Sequence, residues 1–242
     1  MRNHFAPGFK MSLFTLFFLP VLLWLGAWQL DRASYKQDLE LEYLDSMSEL
    51  AIDISELDKE VLGSLENFTK IKAEGRFLDK MFFLDNQTTN GKVGYWVFQP
   101  FLTDKSRKNL IVNRGFVAAP FFRDELPSVI TPSGRLIIEG TVWPFTGLPP
   151  ILGEDDWGSD WPKRIQTKDL FRMGKASGSY PLELRLGPNE EGVLGTLPGL
   201  EQLDDSKHLG YALTWFGLAI TLIVSYLIFG FQAMQTEPAV LQ

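Results

Sequence analysis

Two long uncharged runs dominate the pattern of apolar and polar positions. Residues 11–30 read MSLFTLFFLPVLLWLGAWQL and residues 209–231 form a second run without a charge. At about 1.5 Å per residue, twenty helical residues cover roughly 30 Å, the thickness of a bilayer's hydrocarbon layer. Pro20 falls in the middle of the first run, and a lipid-embedded helix tolerates proline better than a soluble one does. Beyond the first run, Leu39, Tyr43 and Met47 recur at i, i+4 and i+8 beside Glu40 and Glu42, so the helix is expected to continue through residues 31–48. The period then changes to two. Ile71, Ala73, Gly75 and Phe77 alternate with Lys72, Glu74 and Arg76, as along a half-buried strand. Further strands are expected at 80–84, 95–102 and 109–117, parted by turns at Asp85-Asn86-Gln87 and at residues 103–106. The alternation returns at Leu136, Ile138, Gly140 and Val142, and at Leu182, Leu184 and Leu186. Short strands with hairpin-length turns predict an antiparallel sheet or small barrel. Residues 144–180 turn to Gly, Pro, Asp and Trp, read as an excursion loop with one short helix near 167–173.

The expected fold class is therefore a membrane protein, two transmembrane helices flanking an extracytoplasmic β-rich α+β domain. The ten residues before the first run carry Arg2 and Lys10 and no acid, whereas the tail after Phe231 has only Glu237. The positive-inside rule then keeps both ends in the cytoplasm. The expected division is a cytoplasmic N-terminus (1–10), a first span (11–30), a periplasmic domain (31–208), a second span (209–231) and a cytoplasmic tail (232–242). The first run exceeds the usual apolar core of a signal peptide, and Leu25-Gly26-Ala27 is a poor cleavage site, so it is read as a retained anchor. Its flank is neither Arg-rich nor amphipathic, which points to a bacterial inner (plasma) membrane rather than an organelle-targeted precursor.

Composition narrows the chemistry. The net charge is −7, from 23 Lys and Arg against 30 Asp and Glu, and no basic stripe appears, so nucleic acid is not an expected partner. There is no cysteine and there are two histidines, His4 and His208. Disulfides, thiolate metal sites, histidine triads and multi-histidine zinc sites in the soluble part are excluded. With no cysteine and six methionines that do not cluster, copper delivery is disfavoured.

The outer ends of the spans hold the first candidates. Trp24, Trp28 and Arg32 fall at i, i+4 and i+8, with Gln29 and Lys36 beside them. An aromatic belt in membrane lipid with a snorkelling arginine accounts for them; for Trp28 and Arg32 a specific contact is the competing reading. On the second span His208, Tyr211 and Trp215 share one face at the same boundary. Two readings stand. The face hydrogen-bonds lipid headgroups, or a neutral imidazole is an axial haem ligand, with Arg32 and Lys36 pairing the propionates and the aromatics covering the ring. Gly210, Thr214, Gly217 and Thr221 make a stripe of small residues, expected to pack on the first span through Gly26 and Ala27, with a partner's helix as the alternative.

In the soluble part, Asn113-Arg114-Gly115 ends an apolar strand. It reads as a bulge or tight turn, or as an arginine holding a carboxylate of this chain or of a partner. Gly153-Glu154-Asp155-Asp156 with Asp160 lacks calcium-loop spacing and reads as a solvated acidic loop. Asn67-Phe68-Thr69 is a glycosylation sequon with meaning only in eukaryotic secretion.

Five segments occur in a familiar order: residues 25–32 (LGAWQLDR), 74–77 (EGRF), 94–100 (GYWVFQP), 112–116 (VNRGF) and 207–219 (KHLGYALTWFGLA). In these, and in its two-span layout, the chain resembles the surfeit-locus family of cytochrome c oxidase assembly factors, as a bacterial member. The resemblance implies a non-enzymatic chaperone in biogenesis of haem–copper oxidase that assists insertion of haem a. Its implied partners are the catalytic subunit and other assembly factors. The family's haem-binding histidine carries over to His208, which would meet the haem iron, and its Gly-Arg-Phe glycine to Gly75. The Asn-Arg-Gly turn carries over to Asn113, Arg114 and Gly115. The sequence departs from the family at Phe116, where tryptophan is usual, at Lys207, where asparagine is common, and at residues 140–144, which are only loosely like the family's Arg-Pro element. Two rivals are a membrane-anchored interaction module of the assembly complex that holds no cofactor, and a periplasmic enzyme using Asp155, Asp156, Asp204 or Asp205.

Overall fold

The computed structural model of the chain describes residues 5–57, 59–104, 109–145, 147–148, 157–197 and 203–232. The acidic run 153–156 lies outside them. Two compact units divide the chain: Met1–Leu41 with Leu200–Gln242, and Glu42–Gly199.

The first unit is a pair of antiparallel helices. Helix α1 (Phe9–Ser46) runs without a break through Pro20, and helix α4 (Ser206–Gln232) returns beside it. Both are long and apolar enough to cross a membrane, and only 11 % of the most apolar window of each is buried. Apolar side chains that face outward in this way suit lipid, whereas a soluble protein's core helix hides them. Along α1 the covered positions include Thr15, Leu19, Leu22, Gly26, Gln29 and Ala33; along α4 they include Ala212, Phe216, Ala219, Leu222, Tyr226 and Gly230. The steps of three and four make one seam on each helix. A Cβ on Gly26 would lie 2.7 Å from the Phe216 ring, so Phe216 seats in the notch that Gly26 leaves. At the far end the Phe5 ring lies against Gly230 and meets Tyr226 and Phe231 edge-on, and the Ala6 amide donates to the Gly230 carbonyl (3.0 Å).

The small-residue stripe falls elsewhere. Gly210 and Gly217 have nothing within 4 Å of an added Cβ, and Thr214 and Thr221 turn their hydroxyls back to the Gly210 and Gly217 carbonyls. Of the expected small-residue contacts, Gly26 belongs to the α1–α4 seam. The α4 stripe does not, because bulky Phe216 filling the Gly26 notch fixes the other face of α4 inward.

The second unit is a closed barrel. Its strands are β1 (Ile52–Asp53), β2 (Lys70–Phe77), β3 (Phe82–Thr89), β4 (Lys92–Thr103), β5 (Asn109–Ala118), β6 (Leu136–Trp143), β7 (Lys163–Ile165) and β8 (Ser179–Leu186); α2 (Lys59–Gly63) and α3 (Leu170–Ser177) intervene. The sheet order is β1-β2-β6-β8-β5-β4-β3-β7, and β2 also pairs with β4. Strands β2, β6, β8, β5 and β4 therefore close a five-stranded barrel, antiparallel except for the parallel β5–β8 pair. In chain order this is a Greek-key closure of the oligonucleotide/oligosaccharide-binding type. Closure needs Gly75: a Cβ there would sit 2.0 Å from the Leu102 carbonyl of β4. The alternating residues Ile71, Ala73, Phe77, Leu110, Val112, Leu136, Ile138, Val142, Leu182, Leu184 and Leu186 fill the interior. Phe82, Trp96, Phe98, Ile111 and Phe116 form a second cluster with Ile165 and, from α3, Leu170 and Met173. Strands β4 and β5 are thus buried on both faces, which explains why they read as unbroken apolar runs rather than alternating ones.

Three local expectations shift. Residues 85–87 are not the hairpin turn: β3 continues through them with an irregularity between Leu84 and Gln87, and Asn86 has φ +58°. The turn falls at Asn90-Gly91, with φ +51° and +73°, where a two-residue loop matches the strand twist. The excursion helix starts at Leu170 because Asp169 caps it, accepting the Arg172 N–H at 3.0 Å, and Gly178 ends it at φ +73°. The same excursion holds β7, which pairs in parallel with β3 and has only three residues to announce it.

Candidate functional site

Around the start of α4 the helix pair concentrates polar groups. Asp204 accepts the Ser206 N–H (3.0 Å) and hydroxyl (2.7 Å), and these two donors hold its carboxyl below the usual carboxylate range. The Asp205 carbonyl takes the His208 N–H at 2.9 Å and the Leu209 N–H at 3.1 Å, opening the helix. From α1, Gln37 Nε2 donates to the Asp205 carboxylate at 2.5 Å. Of these two acids, named above as possible catalytic carboxylates, Asp204 is engaged by Ser206 at the start of α4 and Asp205 by Gln37.

One turn further in, His208 Nδ1 lies 2.8 Å from Gln29 Oε1. Gln29 sits in the seam, 8 % exposed, between Gly26 and Ala33. Trp28 and Arg32 each directly precede a seam residue of α1, and Tyr211 and Trp215 each directly precede a seam residue of α4. One residue is about 100° of helical rotation, and in an antiparallel pair equal rotations of the same sense reach the same flank. Trp28, Arg32, Tyr211 and Trp215 thus line one side of the pair, next to His208. That flank is open: Trp28 is 42 % and Tyr211 59 % exposed, and the Arg32 guanidinium stands 6.0 Å over the Trp28 ring. The residue missed from sequence is Gln29. Its signal was a lone amide on the apolar face of a span, where a polar side chain needs a partner.

The barrel's candidates are all turned inward. Arg114 is 1 % exposed. Its Nε donates to the Gly192 carbonyl (2.6 Å), Nη2 to the Ile130 carbonyl (2.9 Å) and Nη1 to Gln99 Oε1, and its guanidinium stands 5.1 Å from the Phe77 ring centre. Burial lowers its pKa to about 10, so it stays charged at neutral pH. Neutral oxygens, rather than a carboxylate, satisfy it among the described residues. Asn113 donates from Nδ2 to Glu183 Oε1 (2.8 Å) and accepts the Gly115 N–H (3.1 Å). Gly115 has φ +115°, and a Cβ there would meet the Leu194 carbonyl at 2.2 Å. Glu183, wholly buried, also takes Arg185 Nε at 2.8 Å and Lys168 Nζ, and Arg185 stacks 3.5 Å over Trp143. Full burial opposes the charge, but Arg185, Lys168 and Asn113 outweigh it and hold the carboxyl at about 2. Gly75, Asn113, Arg114 and Gly115 therefore build the barrel.

A cleft of about 270 Å³ at one edge of the barrel is lined in part by Tyr43, Lys70, Glu139, Thr141 and Glu190. Lys70 there is committed to the Met47 (2.6 Å) and Glu49 (3.3 Å) carbonyls. No group of three or more metal-ligating side chains occurs among the described residues.

A lipid-facing helix pair carrying a buried-partner histidine, joined to a Greek-key barrel, defines a membrane-anchored protein. The family model described as "SURF1 family" matches residues 16–220, and the chain belongs to that family. It is 28 % identical to a SURF1-like protein of Rickettsia felis, over 91 % of this chain and 96 % of that one. A SURF1-like protein of Rickettsia bellii is 29 % identical, over 91 % and 90 %. A yeast relative, Cytochrome oxidase assembly protein SHY1 of Saccharomyces cerevisiae, is 24 % identical over 76 % of this chain and 48 % of that one.

Proposed function

We propose that the chain is an assembly factor for haem–copper cytochrome c oxidase that holds haem a at the His208 flank for the oxidase's catalytic subunit, and that it is not an enzyme. Family membership and the yeast relative's name support the assembly role. The observation that carries the haem reading is the His208–Gln29 contact beside an open aromatic flank. The donor set fits haem: an imidazole to meet iron, Arg32 to pair a propionate, and Trp28, Tyr211 and Trp215 to cover a planar ring. Bound haem would supply an iron that His208 could ligate. On this reading both termini are cytoplasmic in a bacterial inner membrane and the barrel is periplasmic, supported by Arg2 and Lys10. The test is the His208→Ala variant, co-expressed with the haem a synthesis enzymes. It loses the haem spectrum of the purified protein while keeping the parent's circular dichroism; a retained spectrum removes His208 as ligand.

The cofactor-free alternative, an interaction module docking on oxidase subunits or other assembly factors, draws on one feature of the barrel. Phe121 is 96 % and Ile130 82 % exposed on the connection after β5, and apolar residues so exposed suit a partner's surface. Parent protein that co-purifies with the oxidase subunit but never carries haem would favour this reading.

A further inference from the structure

We infer that Gln29 is a positioning residue that fixes the tautomer of His208. A neutral imidazole carries its proton on one nitrogen and a lone pair on the other, and the partner of the first decides which nitrogen is free. The structure turns the side-chain oxygen of Gln29 toward Nδ1 at 2.8 Å. That oxygen only accepts, so Nδ1 carries the hydrogen and Nε2 is left with the lone pair. Had the amide nitrogen faced the ring, Nδ1 would accept, Nε2 would be protonated, and Nε2 could not ligate a metal.

The geometry is held from both sides. Gln29 lies one turn beyond Gly26, whose notch receives Phe216, so the seam is tight where the amide sits, and 8 % exposure leaves it little room to swing. The backbone of His208 is pinned by its N–H to the Asp205 carbonyl at 2.9 Å. A histidine whose second nitrogen donates to an oxygen is the arrangement that orients metal-binding imidazoles and raises their basicity. The use of the free Nε2 as a haem ligand rests on the proposed function. The tautomer itself does not.

The test uses the full chain in lipid nanodiscs, free of haem, carrying His4→Gln so that His208 is the single histidine, labelled with ¹⁵N. The parent ring is expected to show a protonated Nδ1 and a bare Nε2. Gln29→Leu should move it toward the Nε2–H form that unconstrained histidine prefers, and Gln29→Glu, which keeps an accepting oxygen, should preserve Nδ1–H. A parent ring protonated at Nε2 overturns the inference outright, whether or not any variant folds, and so does a folded Gln29→Leu whose ring is unchanged. Hemin titration supplies a second readout. Gln29→Leu should weaken binding roughly 10- to 100-fold, and unweakened binding overturns the positioning role. Hemin bound equally by parent and His208→Ala would instead sink the haem reading, leaving the ring measurement to decide the tautomer.

Discussion

His208 in the helix pair and Arg114 in the barrel both come from segments that resemble a family motif, yet the structure treats them oppositely. Arg114 spends all three of its nitrogens on oxygens within the barrel and is 1 % exposed. Among the described residues His208 spends one ring nitrogen on Gln29 and the other on none, beside a flank where Trp28 and Tyr211 are half-open. A polar side chain whose hydrogen-bonding capacity is exhausted inside the protein acts on the fold. One left with spare capacity at an accessible surface can act on a ligand. By that measure the barrel's motif residues are structural and the helix pair carries the site.

The comparison breaks most easily at Glu183. Glu183→Ala leaves Arg185 buried, and Lys168 half-buried, without their shared counter-charge, and removing one partner of a buried ion pair costs about 3–5 kcal/mol. The melting temperature of the barrel should fall by on the order of 10 °C, read by near-ultraviolet circular dichroism of the full chain, with hemin binding by the surviving folded fraction unchanged. A variant that melts normally but loses hemin would invert the assignment of roles.

Next comes Gly75→Ala. The added methyl is built 2.0 Å from the Leu102 carbonyl, which is backbone and cannot rotate away. Strands β2 and β4 must part where the barrel closes, and overpacking of this kind costs about 1–3 kcal/mol. Hydrogen exchange should quicken first at residues 75–77 and 101–103, whose pairing closes the ring; uniform exchange would mean that closure does not depend on this glycine.

A pH titration sharpens the same contrast. Glu183 has a pKa near 2 in the barrel against about 4.5 when unfolded. A depressed carboxyl pKa gives stability that is complete above the unfolded value and is lost as the pH falls toward the folded one. The barrel should therefore lose stability between about pH 4.5 and 2, and Glu183→Gln should flatten that portion of the curve. An unaltered acid limb would show that other carboxylates govern it.

How much of this was legible follows from what each pattern measures. Alternation at Ile71, Ala73, Gly75 and Phe77, and again at Leu136, Ile138 and Val142, reports burial on one face, and those strands stand where the periodicity placed them. The same logic hid Glu183. In Leu182-Glu183-Leu184-Arg185-Leu186 the charged positions read as the solvated face, yet both are buried because each neutralises the other beneath Trp143. Charge pairing between alternate residues leaves the period intact and changes only its meaning. Gln29 was passed over for a related reason: nothing in the sequence states which histidine it meets across 179 residues. Strand β7 was illegible because three residues make no period at all.

The smallest expected effect bears on the helix pair alone, through two glycines of the spans. Gly26 receives the Phe216 ring, with only 2.7 Å available to a Cβ, whereas Gly217 has nothing within 4 Å. Gly26→Leu should force the helices apart and, because Gln29 is one turn away, disturb the His208 contact as well. Gly217→Leu, one residue beyond Phe216 in α4, should leave the pair within about 0.5 kcal/mol of the parent and the His208 ring in the same tautomer. The sequence alone placed both glycines in the contact, with the regular stripe that holds Gly217 packing on the first span through Gly26 and Ala27. Which glycine helix packing uses is decided by where the bulky neighbour falls, because a notch contributes contact only when a side chain fills it. Equal sensitivity of the two positions, measured by unfolding in detergent, would place the seam of α4 on both faces and remove the open flank on which the site depends.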